Sequence, residues 1–161
     1  MVAGTVTIET ESEVAPKRLW NALVKDHELI AREIPELCAG VTFLEGNGGV
    51  GSIKQINFTP GSTEFSYVKE RVDVVDEEKL IYSYTDIEGG ELGKNLASAQ
   101  FTLKLSPKAG GGSVVSHICN FDTLPGVPQE EAKLEAMKAQ LTALFKKMEA
   151  YVIANPSLYN A

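Results

Sequence analysis

The chain has 161 residues, 43% hydrophobic and 23% charged, which is the length and composition of one folded domain with its own core. Its formal net charge of −7 at pH 7 argues against a dedicated nucleic-acid partner, because binding to phosphate requires clustered lysine and arginine. The first residues lack a basic segment followed by a long apolar run, and no stretch reaches transmembrane length. We therefore expect a cytoplasmic protein with no membrane partner, in which Cys38 and Cys119 are reduced thiols.

The predicted elements begin with a strand over residues 4–12, which are rich in Thr, Val and Ile. Pro16 favours the first turn of a helix, and a second short helix over 28–33 ends before Pro35, because the residue preceding a proline avoids the helical region. Turn-forming connectors rich in Gly, Pro and acidic residues separate the strands that follow. We expect these strands near 41–45, 52–58, 64–75, 79–87, 95–106 and 113–122.

A long amphipathic helix is predicted over residues 129–154, where apolar side chains recur every three or four positions. Such a helix must cover an apolar surface, and the sheet is the only partner of sufficient size. We therefore expect a single α+β domain spanning residues 1–161, made of one strand, two short helices, six antiparallel strands and one long helix. If the sheet curls around the helix, a cavity can remain between them.

A glycine-rich loop lies between two of the predicted strands, and it consists of Gly46, Asn47, Gly48, Gly49, Val50 and Gly51. Its letters fit the dinucleotide motif G-x-G-x-x-G, but that motif needs a strand before it and a helix after it. Both flanking segments are β-patterned and no Gly-Lys-Ser/Thr follows, so we interpret the loop as a tight turn whose free amides would attract an adventitious anion. The sequence predicts no cofactor and no metal site.

Strand alternation predicts which side chains line the cavity. The strands are expected to contribute Ile56, Phe58, Phe65, Tyr67, Tyr82, Tyr84, Ala99, Phe101, Leu103, Val115, His117 and Cys119. The helices are expected to contribute Leu23, Ile30, Met137, Lys138, Leu141 and Phe145. Lys69 and Arg71 share a face with Tyr67 and would place cations toward one end. The opposite parity of the last strand is scarcely more polar, so a surface position for His117 stays open.

Several motifs carry a resemblance to a known family. They are residues 45–54 around the glycine loop, Tyr67-Val68-Lys69-Glu70-Arg71-Val72-Asp73, Tyr82-Ser83-Tyr84 with Ile87-Glu88-Gly89-Gly90, and Glu149-Ala150-Tyr151-Val152 with Tyr159-Asn160. Their order and spacing resemble the class 10 pathogenesis-related proteins, the plant family of the major birch-pollen allergen. The resemblance implies a helix-grip, START-like fold, in which a curved antiparallel sheet of seven strands wraps around the long C-terminal helix and encloses a hydrophobic cavity. Two short helices lie beneath the end of the long one. The resemblance also implies a cytoplasmic defence or stress protein, monomeric, allergenic, and holding cytokinins, flavonoids, sterols or other hydrophobic metabolites.

Other functions known for relatives stay open with less support. A weak ribonuclease activity is attributed to some family members, and the residues invoked there match Lys54, Glu149 and Tyr151, although a further family carboxylate is replaced by Ala97 and Ser98. The gate and latch motifs of abscisic-acid receptors, which inhibit a phosphatase, do not occur in the chain. The inward lysine that a related alkaloid-forming branch requires is also missing from 95–106. We therefore assign no catalytic residue, and we expect the tyrosines, Lys138, Gln140 and His117 to orient a ligand.

Overall fold

The computed structural model describes residues 2–160, so Met1 and Ala161 of the expected domain lie outside the described residues. The strands are β1 Ala3–Ser12, β2 Cys38–Glu45, β3 Ile53–Phe58, β4 Tyr67–Asp76, β5 Ile81–Gly89, β6 Leu96–Pro107 and β7 Ser113–Thr123. The helices are α1 Pro16–Trp20, which continues as a π-helical turn over Asn21–Lys25, α2 Leu29–Glu33 and α3 Glu131–Ala154.

All seven strands form one antiparallel sheet in the order β1-β7-β6-β5-β4-β3-β2, which confirms the predicted fold. The first two strands in sequence therefore lie at opposite edges, and the segment with α1 and α2 must cross one end of the sheet to join them. Register shifts in the β2–β3, β4–β5 and β6–β7 pairings mark local irregularities. Such bulges bend strands and increase their twist, which favours a concave face.

Most elements begin or end a few residues away from the boundaries predicted from the sequence. The starts of two strands move by three residues: β2 begins earlier, at Cys38, and β4 begins later, at Tyr67, because residues 59–66 form a turn-rich connection. This connection includes Pro60 and Gly61, whose positive φ of 83° suits a turn and not a strand. Helix α3 begins at Glu131, two residues after the predicted start.

The core has two clusters on the concave face of the sheet. The larger surrounds Trp20 and Leu19, which are both fully buried and join the first helix to the sheet and to the end of α3. The smaller joins β1, β6 and β7 to the first turns of α3 through Leu134 and Met137. Within α3 only Glu149 and Val152 are buried, so the helix packs tightly near its C-terminal end and stands further off the sheet elsewhere.

Arg18 fixes the C-terminal end of α3 against α1. Its guanidinium donates to the carbonyl oxygens of Val152 at 2.6 Å, Asn155 at 2.8 Å and Leu158 at 3.0 Å. Val152 and Asn155 belong to the end of α3, where carbonyls lack partners further along the helix and carry a partial negative charge, and Leu158 lies in the segment that follows. One cation therefore satisfies several exposed helix-end acceptors and holds the C-terminal segment in place.

Among residues 2–160 no helix has the length and low polarity that a membrane span requires.

Replacing Arg18 by Met keeps most of the apolar stem and removes every donor to these carbonyls. We expect a loss of about 2 kcal/mol in the free energy of unfolding, because hydrogen bonds involving a charged group contribute more than neutral ones. Denaturant unfolding followed by Trp20 fluorescence measures the change. Arg71→Met is the matched control, since Arg71 is 49% exposed in a pair with Asp73, and it should cost less than about 1 kcal/mol. Equal losses in the two variants would contradict the role of Arg18.

Candidate ligand cavity

An internal cavity of about 210 Å³ lies between the concave face of the sheet, the α1–α2 segment and α3. All seven strands contribute inward-facing side chains to the floor of the cavity, and α3 supplies its roof. Its wall consists of Ile8, Thr10, Leu23, Asp26, His27, Leu29, Ile30, Val41, Lys54, Ile56, Glu70, Tyr82, Tyr84, Leu103, Val115, His117, Leu141, Thr142, Leu144, Phe145 and Met148. The wall is mostly apolar with a small number of polar groups, the usual character of a small-molecule pocket.

Many of the residues expected to line the cavity lie in this wall. They are Leu23, Ile30, Ile56, Tyr82, Tyr84, Leu103, Val115, His117, Leu141 and Phe145. The inward parity expected for β6 and β7 is the one observed, because Leu103 and Val115 face the cavity while Lys104 is exposed. His117 is therefore an interior residue and not a surface one.

Four expected residues face the same interior but fill the smaller core cluster instead of the cavity. Ala99, Phe101, Cys119 and Met137 pack together there with Val6 and Phe121, beneath the first turns of α3. Phe101 supports the wall from behind, since its ring stacks on Tyr84 at 5.1 Å and lies 5.8 Å from the His117 ring. The sequence could not separate these positions because strand parity identifies a face and not how far the covering helix stands from it.

Tyr67 and Phe65 were expected inside, and this prediction is wrong. The interior face of β4 carries the buried Val68, Glu70 and Val72, so Tyr67 lies on the outer face with Lys69 and Arg71. The Tyr67 hydroxyl donates to Glu88 at 2.6 Å, and Phe65 lies in the connection before β4 beneath the Lys94 ammonium. A parity error of one residue moves every side chain of a strand to the opposite face.

Three other expected contributors also lie outside the wall. Phe58 is the last residue of β3, opposite Cys38 at the edge of the sheet, and lies beyond the end of the cavity. Lys138 turns along α3 to pair with Glu135 at 3.4 Å, which leaves it on the flank of the helix. Gln140 is exposed. The α3 stripe that reaches the cavity is Leu141, Leu144, Phe145 and Met148.

A buried ion pair between Lys54 and Glu70 is the main charged feature of the wall. The Lys54 ammonium lies 3.7 Å from a Glu70 carboxylate oxygen, and the two side chains are only 14% and 9% exposed. Burial opposes the Lys54 charge, but Glu70 and Tyr82 outweigh burial and raise the pKa of Lys54. Burial raises the pKa of Glu70, and Lys54 offsets part of that rise. The sequence analysis did not include Glu70 among the wall residues because it assigned the opposite parity of β4 to the interior face.

His117 presents a neutral imidazole to the cavity. Burial lowers its pKa from 6.5 to about 4, because desolvation penalises the charged ring and no carboxylate compensates it. The ring is therefore neutral at physiological pH, with one nitrogen that donates and one that accepts. Nearby, Tyr84 is deeply buried, and desolvation together with Glu70 and Asp86 raises its pKa well above the ordinary value. Both side chains can exchange hydrogen bonds with a neutral ligand.

The part of the cavity wall next to the glycine loop includes His27, a residue that the sequence did not suggest. Its ring packs edge-on against Phe43 at 4.7 Å and lines the cavity. A Cβ at Gly48 would lie 2.6 Å from the His27 Nε2 atom, so this close approach and the φ of 115° both require glycine. Within the loop the Gly48 amide donates to Ser52 Oγ and the Gly51 amide to the Val72 carbonyl. These bonds use amides that an anion would need.

The residues named for a ribonuclease site have separate partners. Lys54 pairs with Glu70, Glu149 pairs with Lys146 along α3, and Tyr151 lies beneath the Arg32 guanidinium at 5.3 Å. No described hydrogen bond or ion pair joins any two of Lys54, Glu149 and Tyr151. Among the described residues, no cluster of His, Cys, Asp and Glu is suited to a metal ion.

Comparisons with known proteins agree with this architecture. Residues 1–155 match the model of the pathogenesis-related protein Bet v 1 family. The major allergen Pru ar 1 of Prunus armeniaca is 40% identical over 98% of this chain and 99% of its own. Pathogenesis-related protein 1 of Asparagus officinalis is 38% identical over 99% of both chains.

Solved structures show the same fold. The crystal structure of Ara h 8.0201 has a TM-score of 0.82 and 30% identity, covering 96% of this chain and 100% of that one. Norcoclaurine synthase from Thalictrum flavum has a TM-score of 0.73 and 19% identity, covering 95% and 88% of the two chains. The second likeness concerns the fold alone.

Replacing His117 by Leu should remove an acid sensitivity of the folded state. Below its ordinary pKa of 6.5 the unfolded imidazole binds a proton that the folded one, with a pKa of about 4, does not bind. The wild type should therefore lose up to about 3 kcal/mol from this group as the pH falls from 7 to 4. As the pH falls from 7 to 4, we expect the free energy of unfolding of the variant to rise relative to that of the wild type. A difference that stays constant with pH, or an NMR titration of His117 near 6.5, would contradict it.

Proposed function

Because the chain belongs to the pathogenesis-related protein Bet v 1 family, we propose that it binds a compact amphipathic small molecule in the internal cavity. The observation that carries this proposal is the cavity itself, which remains between the sheet and α3 with an apolar wall and a few polar groups at defined places. Burial of apolar ligand surface would supply the affinity, at roughly 25 cal/mol per Å² before the costs of association.

The size of the cavity favours small ring systems among the ligands considered. Its volume of about 210 Å³ lies below the roughly 300–1,000 Å³ of pockets that hold drug-sized molecules. A cytokinin or another small plant hormone suits this space better than a sterol, and a flavonoid would require α3 to move outward. The part of α3 that forms the roof, residues 141–148, carries no buried residue, so it is the part that can yield.

The polar groups of the wall would orient the ligand. His117 from β7, Tyr84 from β5 and the Lys54–Glu70 pair from β3 and β4 all lie in the wall. A ligand edge with both a donor and an acceptor would satisfy the imidazole and the ion pair together. The tyrosine rings add flat apolar area beside these groups, since Lys54 lies 5.5 Å from the Tyr82 ring and 5.9 Å from that of Tyr84.

The biological setting is proposed from the relatives. The protein from Asparagus officinalis is named for pathogenesis, which supports a role in plant defence or stress for this chain. We infer a cytoplasmic, monomeric carrier or reservoir that meets its ligand in solution. The net charge of −7 supports the view that nucleic acid is not its partner.

Filling the cavity from α3 should abolish binding. Leu141→Trp adds an indole where an isobutyl group now lines the cavity, so a fluorescent hydrophobic probe should bind at least tenfold more weakly. Ile153→Trp is the matched control, because Ile153 lies on the same helix, is 41% exposed and should leave the affinity unchanged. Titration of the probe, followed by displacement with cytokinins, flavonoids, sterols and abscisic acid, measures both effects.

Two results would count against the proposal. If no probe and no metabolite of the panel binds the wild type below millimolar concentration, the cavity is not a binding site. If Leu141→Trp and Ile153→Trp bind the probe equally well, binding takes place on the surface. Circular dichroism and thermal unfolding of both variants establish that each is folded before the affinities are compared.

A further inference from the structure

Asp86 is a carboxylate on the interior face of the sheet that the proposed function leaves unexplained. It follows Tyr82 and Tyr84 at alternate positions of β5, so it points to the same side as these two wall residues. Its Oδ1 atom is buried and accepts no hydrogen bond from any described residue. Buried polar atoms without a partner are uncommon in native proteins, and each one requires an explanation.

The residue directly opposite Asp86 in the β4–β5 ladder is Glu70. Facing residues of an antiparallel pair have Cβ atoms about 4.5–5.5 Å apart, and like charges at such positions destabilise the sheet. Glu70 lies in the cavity wall, and Asp86 lies across the ladder from it and close enough to feel its charge, so the two carboxyl groups lie side by side at the border of the cavity. The arrangement places two interior carboxyls side by side where one apolar pair would be more stable.

Only one buried ammonium among the described residues faces this pair. Lys54 is bound to Glu70, while Lys69 and Arg71 lie on the outer face of β4 with Glu88 and Asp73. The remaining titratable groups that act on Asp86 are neutral or acidic, namely Glu70, the Tyr84 phenol and the Cys119 thiol. The interior therefore holds two carboxyls and one counter-charge.

We propose that the second counter-charge comes from the ligand, and that the cavity accepts a compact aromatic molecule bearing a protonated amine, whose nitrogen lies between Glu70 and Asp86. This inference rests on the proposed function and names the ligand class for the same cavity. The rings of Tyr82 and Tyr84 border the same side and favour both an aromatic body and a nearby cation.

The protonation of Asp86 gives the proposal a pH signature. Burial, and then the charge of Glu70, raises the pKa of Asp86 to about 7. The carboxyl is therefore mostly neutral below this pH and mostly ionised above it. A cationic ligand binds the ionised form, so its affinity should increase as the pH rises through 7, while a neutral ligand of the same shape should show no such increase.

The test uses 1-naphthylmethylamine and 1-naphthylmethanol, which share a bicyclic body and differ in one charged group. We measure their dissociation constants by calorimetry between pH 5.5 and 8.5, where the free amine stays protonated. We expect the amine to bind at least tenfold more tightly than the alcohol at pH 8, with a smaller ratio at pH 5.5. Asp86→Asn should bring the ratio close to one at every pH without weakening the alcohol.

Asp122→Asn is the matched control, because Asp122 lies on β7 with an exposed bond to Ser98 and should preserve the ratio. A ratio near one in the wild type, or a ratio unchanged by Asp86→Asn, overturns the inference. A hydrophobic fluorescent probe is titrated in parallel. If the probe binds while neither naphthyl compound prefers the amine form, the amine proposal fails and the cavity remains a binding site; if the probe also fails to bind, the proposed function itself fails.

Discussion

The incomplete covering of a concave sheet by one helix is the constraint on which the rest of the structure depends. Seven strands present more apolar surface than α3 can fill, and within this helix only Glu149 and Val152 are buried. Arg18 holds the C-terminal end through the last carbonyls of the helix, so the tight contact is at that end. The cavity exists because the remainder of the helix stands off the sheet while α1 and α2 close one end.

The chemistry of the cavity comes from polar residues placed inside an otherwise apolar shell. Desolvation acts on all of them, lowering the pKa of His117 and raising those of Glu70, Tyr84 and Asp86. The neutral imidazole and the Lys54–Glu70 pair give the wall donors and acceptors that do not depend strongly on pH near neutrality. Asp86 is the exception, since its titration falls close to physiological pH, and it gives the interior a charge that a ligand can balance.

Much of the wall could be predicted where a strand has one clearly apolar parity. In β6 the alternation of Leu103 and Leu105 with Lys104 settles the face, and the structure has the same parity. In β4 both parities carry charge, so the pattern favours Tyr67 inside, whereas in the structure Tyr67 lies outside and Glu70 lies inside. His27 and Asp26 carry no periodic signal because they lie in the link between the short helices, and only folding brings them to the cavity.

The sequence by itself determined the order of elements, the antiparallel α+β class and the amphipathic helix that must cover the sheet, because these depend on local periodicity and on turn residues. Its motifs also determined the family. The tertiary structure alone decided the volume of the cavity, the pairing of Lys54 with Glu70 and the position of Asp86 opposite that glutamate. These features depend on strand register and on the distance between helix and sheet, which non-local packing sets and no stretch of the chain encodes alone.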